Sequence, residues 1–321
     1  MVENSRPNIL VTSAGNKIPL LRELEVAAKK SRIEGRVVAC DSEKDTAATH
    51  LTPDYWHSPK VENPLPEEWI HALQNRAIGL IMPTRDGELS LWASQKNFLN
   101  SMGVHTAVSA PESLNRCIDK LEFAKWASEN EFPVIPASDR LDAVYSETLV
   151  LKERFGSGSK NLFLNLSFSE IEKYWPLLSN PIVQPFIHGA EISIDAYVRL
   201  DGAVHGLVLR RRDRVQNGES QITTTFRDDD IETQASEFIS ALNLRGPVVL
   251  QAIINNEGLH LIEVNPRFGG ASTASIAVGL DSLAWMIHEA FRQEEQLPPF
   301  VRSTEEIRNV RYSSEMKITW W

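Results

Sequence analysis

Basic charge is scarce in this sequence. Its 321 residues hold 33 Lys and Arg against 43 Asp and Glu, a net charge of −10. That balance argues against non-specific nucleic-acid binding, which depends on neutralising phosphates. Cysteine is rarer still. Cys40 and Cys117 form no CxxC and no metal-ligand spacing, and read as structural thiols in a reducing compartment. The eight histidines include no HxxxH and no triad-like grouping, and His188 and His205 read as peripheral. No apolar run approaches the length of a membrane span. The first residues, MVENSRPNILVTSAG, have no apolar core behind a basic region, so no signal peptide is expected. Two phosphate-binding motifs are missing as well: the first βα turn, TSAGNK, is not GxGxxG, and GxxxxGK[ST] does not occur. The expectation is a soluble, cytoplasmic protein without nucleic-acid or membrane partners.

Hydrophobic residues make up 42% of the chain, enough for two or three packed units. Residues 8–14 read as a buried strand, 18–30 as an amphipathic helix, 36–40 and 77–82 as further strands, and PTRDGEL leads into a helical stretch through Leu99. Strands alternating with helices predict a parallel α/β sheet ending near Ser109. Residues 111–130 predict one helix opened by Pro111. Strands at 148–152 and 161–164 flank the loop ERFGSGSKN, and a helix covers 169–178. From 181 the pattern turns strand-rich, an α+β character. A helix at about 228–242, strands at 247–254 and 258–264, and a helix at 272–292 follow; the tail RYSSEMKITWW reads as a last strand. There is no internal repeat.

Three stretches carry residue types suited to chemistry. Lys152 ends an apolar strand and FGSGSK follows, where glycines let backbone N–H groups converge on phosphate oxygens. Taken alone, the same stretch reads more readily as a flexible hairpin turn. In LIEVNP, Glu263 and Asn265 are two apart and share one face of a strand. An antiparallel partner joined at Asn256–Gly258 places Gln251 opposite Glu263. Two amides and one carboxylate suit Mg²⁺ that takes its other ligands from nucleotide phosphates and water. The competing reading is a buried polar network satisfied by backbone groups. In LRRRDRVQNGES the period of two sets Arg210 and Arg212 on one face and turns Arg211 away; an exposed basic strand fits the same residues.

Lys152, the Gly/Ser loop and the Gln251, Glu263, Asn265 set together resemble the ATP-grasp superfamily. The likeness is to half-modules of the carbamoyl-phosphate synthase large subunit and to small stand-alone carboxylate–amine ligases, over roughly residues 110–290. Glu-x-Asn-Pro-Arg followed by glycines is its most specific element. The resemblance implies an α/β fold with an α+β C-terminal part. A preATP-grasp parallel-sheet domain (1–109) would precede a small lid subdomain (110–182) and an antiparallel catalytic subdomain (183–321). It implies ATP and Mg²⁺ as cofactors, two ions with Mn²⁺ as a substitute, bound through Gln251, Glu263 and Asn265. It places Lys120 and Lys152 on phosphates and Gly156, Ser157, Gly158, Ser159 and Lys160 in a lid over them. Gln184, Phe186 and Ile187 would clamp adenine and Glu191 the ribose. Arg267, Arg210 and Arg212 would hold the phosphate being transferred, with Asp195 structural. The partners implied are a small carboxylate, such as an amino acid, and an amine; relatives commonly form homodimers. The activity implied is ATP-dependent amide formation through an acyl-phosphate. The alternatives are a carbamoyl-phosphate-synthase-like carboxyphosphate or kinase reaction, and a non-catalytic ATP-binding module of a larger assembly. Two departures stand out: the first metal position is Gln where Glu is usual, and Asn161 replaces a lid glycine.

Overall fold

A computed structural model describes residues 7–156, 158, 161–291 and 297–317. Among these the strands form three sheets. The first unit runs β1 (Asn8–Thr12), α1 (Ile18–Lys30), β2 (Val37–Asp41), α2 (Ala47–Leu51), β3 (Tyr55–His57), α3 (Glu67–Asn75), β4 (Ile78–Pro83), α4 (Asp86–Ser94), α5 (Lys96–Ser101), β5 (His105–Thr106). Its sheet is parallel, in the order β3-β2-β1-β4-β5. Every residue of β1 and β4 is buried, because helices cover both faces of a parallel sheet. The order reverses between β1 and β4, and in such sheets the crevice beyond the carboxyl ends at that point is where ligands settle. Residues 13–17 and 84–86 surround it. The short elements α2, β3 and β5 were not readable, since two to five residues carry no usable periodicity.

The helix predicted over 111–130 is two helices, α6 (Pro111–Ile118) and α7 (Lys120–Glu129). Asp119 between them is extended (φ −89°, ψ 102°) and its carboxylate accepts from the N–H groups of Leu121 and Glu122. An Asp side chain that captures free N–H groups starts a helix rather than continuing one. Cys117, Phe123 and Ala127 pack into the core of the large antiparallel sheet, not the small one.

A three-stranded sheet follows, built from β6 (Leu149–Glu153), β7 (Phe163–Leu166), α8 (Phe168–Tyr174) and β8 (Pro181–Pro185) in the order β7-β6-β8. Strand β8 therefore straddles the expected boundary at 182/183. Leu149, Leu151, Ile171, Leu178 and Val183 make its small core.

The remainder is β9 (Ala190–Val198), β10 (Val204–Gln216), β11 (Glu219–Phe226), α9 (Asp229–Ala241), β12 (Gly246–Asn255), β13 (Gly258–Asn265), α10 (Thr273–Ala277), α11 (Ser282–Ala290) and β14 (Arg308–Val310). Its six antiparallel strands are ordered β13-β12-β9-β10-β11-β14. The predicted 272–292 helix breaks at Gly279, whose φ is +107° and where a Cβ would lie 2.2 Å from the Val301 carbonyl oxygen. Only glycine fits there. The final strand lies at 308–310 rather than in the tail; residues 311–317 form none, and 318–321 lie outside the described residues. One core joins the first unit to the last: Leu20, Leu24 and Val11 pack with Tyr197, Leu283 and Trp285. No helix among the described residues is long and apolar enough to cross a membrane.

Candidate active site

The hairpin β12–β13 pairs Gln251 with Glu263 and Val249 with Asn265. A bulge follows, since Ala252 pairs with Leu261 and Ile262 is the extra residue. It has a decisive effect. Leu259 and Leu261 point into the core, and strict alternation would send Glu263 after them. The inserted residue reverses the phase, so Val264 is in the core while Glu263 and Asn265 face out of it. Across the sheet Gln251 also pairs with Ser193, and Ser193 with Arg210. One face thus carries Glu263, Asn265, Gln251, Ser193, Glu191 and Arg212, opposite the core residues Ile192, Ile194 and Leu250.

Lys152 reaches this face from β6. Leu149 and Leu151 fill the small core, so Lys152 alternates to the other side, where it is only 7% exposed. Burial pushes its ammonium down to about 8; Glu263 pulls back up, Lys120 pushes further down, and Glu191 pulls up. Lys120, in the first turn of α7, donates to the Gly156 carbonyl at 2.7 Å and lies 3.9 Å from Glu263 Oε2. Gly156 and Gly158 have φ of +109° and +75°. Ser157, Ser159 and Lys160 lie outside the described residues. At the loop's base Arg154 forks onto Asp119 at 2.7 and 2.6 Å, tying β6 to the cap of α7. Burial works against the Asp119 carboxylate, but Arg154 and the capping N–H groups hold it below its usual range. Asn161 donates to Glu153, which also accepts from Ser179 and Asn180, so the loop's far end is anchored too.

Between the two antiparallel sheets the chain passes through residues 186–189. The Gln184 side chain is buried and donates to the Ile135 carbonyl at 3.0 Å, so it braces this crossing. The Phe186 N–H is taken by the Thr148 carbonyl at 2.9 Å, and Ile187 beside it is half-buried. Glu191 lies 2.9 Å from Arg212 Nε, an ion pair not aligned as a hydrogen bond. Burial raises the Glu191 carboxyl, Arg212 pulls it back and Glu263 adds to the rise. Arg212 also donates to the Gly218 carbonyl at 3.0 Å. A cleft is lined by Lys120, Gly156, Glu263, Asn265 and Asp86, among others.

This architecture matches solved structures closely in shape and weakly in sequence. The biotin carboxylase domain of 2-oxoglutarate carboxylase from Hydrogenobacter thermophilus, solved with MgADP, ADP and bicarbonate, superposes with a TM-score of 0.74 at 14% identity, over 94% of this chain and 73% of that one. Biotin carboxylase from Campylobacter jejuni gives 0.69 at 17%, over 88% and 70%. N5-carboxyaminoimidazole synthetase from Staphylococcus aureus, complexed with ADP, gives 0.69 at 14%, over 88% and 77%. The family described as ATP-grasp in the biosynthetic pathway with Ter operon matches residues 178–313. The chain has the ATP-grasp fold. No protein of curated function matches it in sequence.

Within this ATP-grasp fold the arginines are placed unequally. Arg212 lies on the cleft face, whereas Arg210, expected beside it on phosphate, is 2% exposed. Its Nε donates to Asp195 and its Nη1 to Thr223 Oγ1 at 3.2 Å. Asp195 also accepts from Ser272 at 2.6 Å and from Ser275. Two serines and an arginine around one buried carboxylate form a closed network, and it ties β9 and β10 to α10. Arg211 is exposed over the Phe226 ring at 4.9 Å. Replacing Asp195 with Ala leaves Arg210 charged and unpaired; the expected cost is about 3–5 kcal/mol, read as a lower denaturation midpoint.

Arg267 is likewise engaged. Its fork closes on Asp86, 181 residues away in sequence, and it donates to Asn265 Oδ1 and the Phe268 carbonyl. Asp86 and Arg154 were not singled out from the sequence. Arg154 follows Lys152 by two, but nothing local marks Asp119 as its partner. Asp86 was visible only as part of PTRDGEL, beyond a strand end at the switch point.

Proposed function

We propose that the chain is an ATP-dependent carboxylate–amine ligase using Mg²⁺. The observation that carries this reading is Glu263, with Gln251 beside it and Asn265 two residues on, opposite the buried Lys152 and Lys120. Among the described residues no three His, Cys, Asp or Glu are grouped to hold a metal. One carboxylate and two amides are too weak a set for a bare ion and fit one delivered with nucleotide phosphates. Bound there, Mg²⁺ would neutralise charge on the phosphates and polarise them.

Lys152 and Lys120 supply positive charge to the phosphates from the lid side. With the Phe186 N–H taken by Thr148, Gln184, Phe186 and Ile187 at this crossing would form the adenine side of the nucleotide site. Glu191, fixed by Arg212, is the acceptor for ribose hydroxyls. A substrate carboxylate oxygen attacks the γ-phosphorus, the bond to the β-phosphate oxygen breaks, and ADP leaves with an acyl-phosphate formed. The amine nitrogen then attacks the acyl carbon, phosphate departs, and the nitrogen releases a proton. No protein nucleophile is required, and the residues act by positioning and charge. Water has to be kept from the site, because it would hydrolyse the acyl-phosphate.

Pairwise mixtures of small acids and amines, followed for ADP release and by mass spectrometry, test this. One pair is expected to stimulate ADP release and give a product with the mass of acid plus amine less water. ADP release indifferent to every acid would favour a nucleotide-binding module instead. A second reading takes bicarbonate as the activated acid, favoured by the bicarbonate held in the Hydrogenobacter structure. Transfer of labelled bicarbonate into product distinguishes the two.

A further inference from the structure

Arginine has five N–H donors in a fixed fork. In Arg267 four have partners: Nε donates to Asp86 Oδ1 at 2.7 Å, Nη2 to Asp86 Oδ2 and to Asn265 Oδ1 at 3.1 Å, and Nη1 to the Phe268 carbonyl at 3.1 Å. A substrate oxyanion would find no free pair of donors. Both side chains of the Asp86–Arg267 pair are 16% exposed, so solvent screens it little. Asp86 opens α4 at the carboxyl end of β4 and lines the same cleft as Lys120, Glu263 and Asn265.

The contacts run as a chain across the domain boundary. Asp86 holds Arg267; Arg267 donates to the Asn265 oxygen; the Asn265 amide nitrogen then faces Glu263 Oε1 at 3.4 Å. An amide side chain can sit either way round, and a donor on one end decides which end is oxygen. A carbonyl oxygen has two lone pairs, so the one that accepts from Arg267 keeps a second for a cation.

We propose that Asp86 is a positioning residue, contributed by the N-terminal unit, that orients the Asn265 oxygen toward the nucleotide's cation through Arg267. The antiparallel unit alone holds the ligands but not the part that aims them. The inference rests on the ion site assigned above, and nucleotide binding tests the two separately.

The measurement is ADP affinity by calorimetry, with and without Mg²⁺, on the full chain. Wild type is expected to bind ADP more tightly with Mg²⁺. Asp86→Asn is expected to keep its metal-free affinity but to lose about 10–100-fold of the Mg²⁺-dependent gain, as loss of an outer partner does elsewhere. Asp86→Glu, which restores the charge, is expected to recover part of it. An Asp86→Asn chain with the full gain overturns the inference, as does one whose metal-free affinity falls equally. If Asp86→Asn fails to fold, Arg267→Lys, charged but unable to fork, carries the same expectation. A wild type whose ADP affinity ignores Mg²⁺ overturns the ion site itself, and the inference with it.

Discussion

Replacing Glu263 with Gln is expected to lower ligation by about 10³-fold or more, a loss of the size seen when a preorganised charge contact is removed. The substitution keeps the shape of the side chain, and Glu263 faces away from the core, so the melting temperature should change little. Two effects combine. The Gln251, Glu263, Asn265 set loses its one carboxylate. Lys152, whose charged state Glu263 supports more than any other group does, becomes easier to deprotonate inside its buried site. Initial rates of ADP release beside a thermal melt check both halves. Near wild-type turnover would remove Glu263 from the reaction, and a collapsed melt would make it a structural residue.

Lys152 supplies the second large effect, and its sign follows from its lowered pKa. Below about 8 the free enzyme holds Lys152 protonated; above it the ammonium is lost and with it the charge that meets phosphate. Because kcat/KM reports the free enzyme, its value for ATP is expected to fall about tenfold per pH unit above that point. Lys152→Arg, charged throughout, should carry the decline to higher pH. Stability runs the other way. The unfolded chain keeps this proton to about 10.5 and the folded one to about 8, so folding is penalised while Lys152 is charged, and the penalty lifts as pH rises between those values. Lys152→Met at pH 7 is thus expected to weaken ATP binding severely while raising stability by on the order of 1–3 kcal/mol. A fall in both would mean that the lysine is held for the fold, not for the nucleotide.

The sheets themselves were largely legible from the chain. In the first unit β1, α1, β2, β4 and the helical stretch of α4 and α5 follow from apolar runs alternating with a 3.6-residue period, whereas α2, β3, α3 and β5 do not; α1 has the predicted limits, Ile18–Lys30. Glu263 and Asn265 were conspicuous because polar groups are costly in an apolar strand. Elements failed where one residue overrode periodicity: Asp119 captured its own N–H groups, and Gly279 met a distant carbonyl.

Local spacing therefore settled which residues could share a face; tertiary contacts decided which of them face a substrate. Arg210 and Arg212 have the same type and the same side of β10, yet one is closed in by Asp195 and Thr223 while the other reaches Glu191. Nothing within either arginine's own neighbourhood distinguishes them. Even the placement of Glu263 depends on a bulge that the hairpin's register alone reveals. Arg267 stands where a phosphate ligand was expected but is held by Asp86, the first residue of α4 in the N-terminal unit. Side-chain period is a property of the backbone and is written locally. A guanidinium's partner is chosen by whichever carboxylate folding brings near, and that carboxylate can lie 181 residues away.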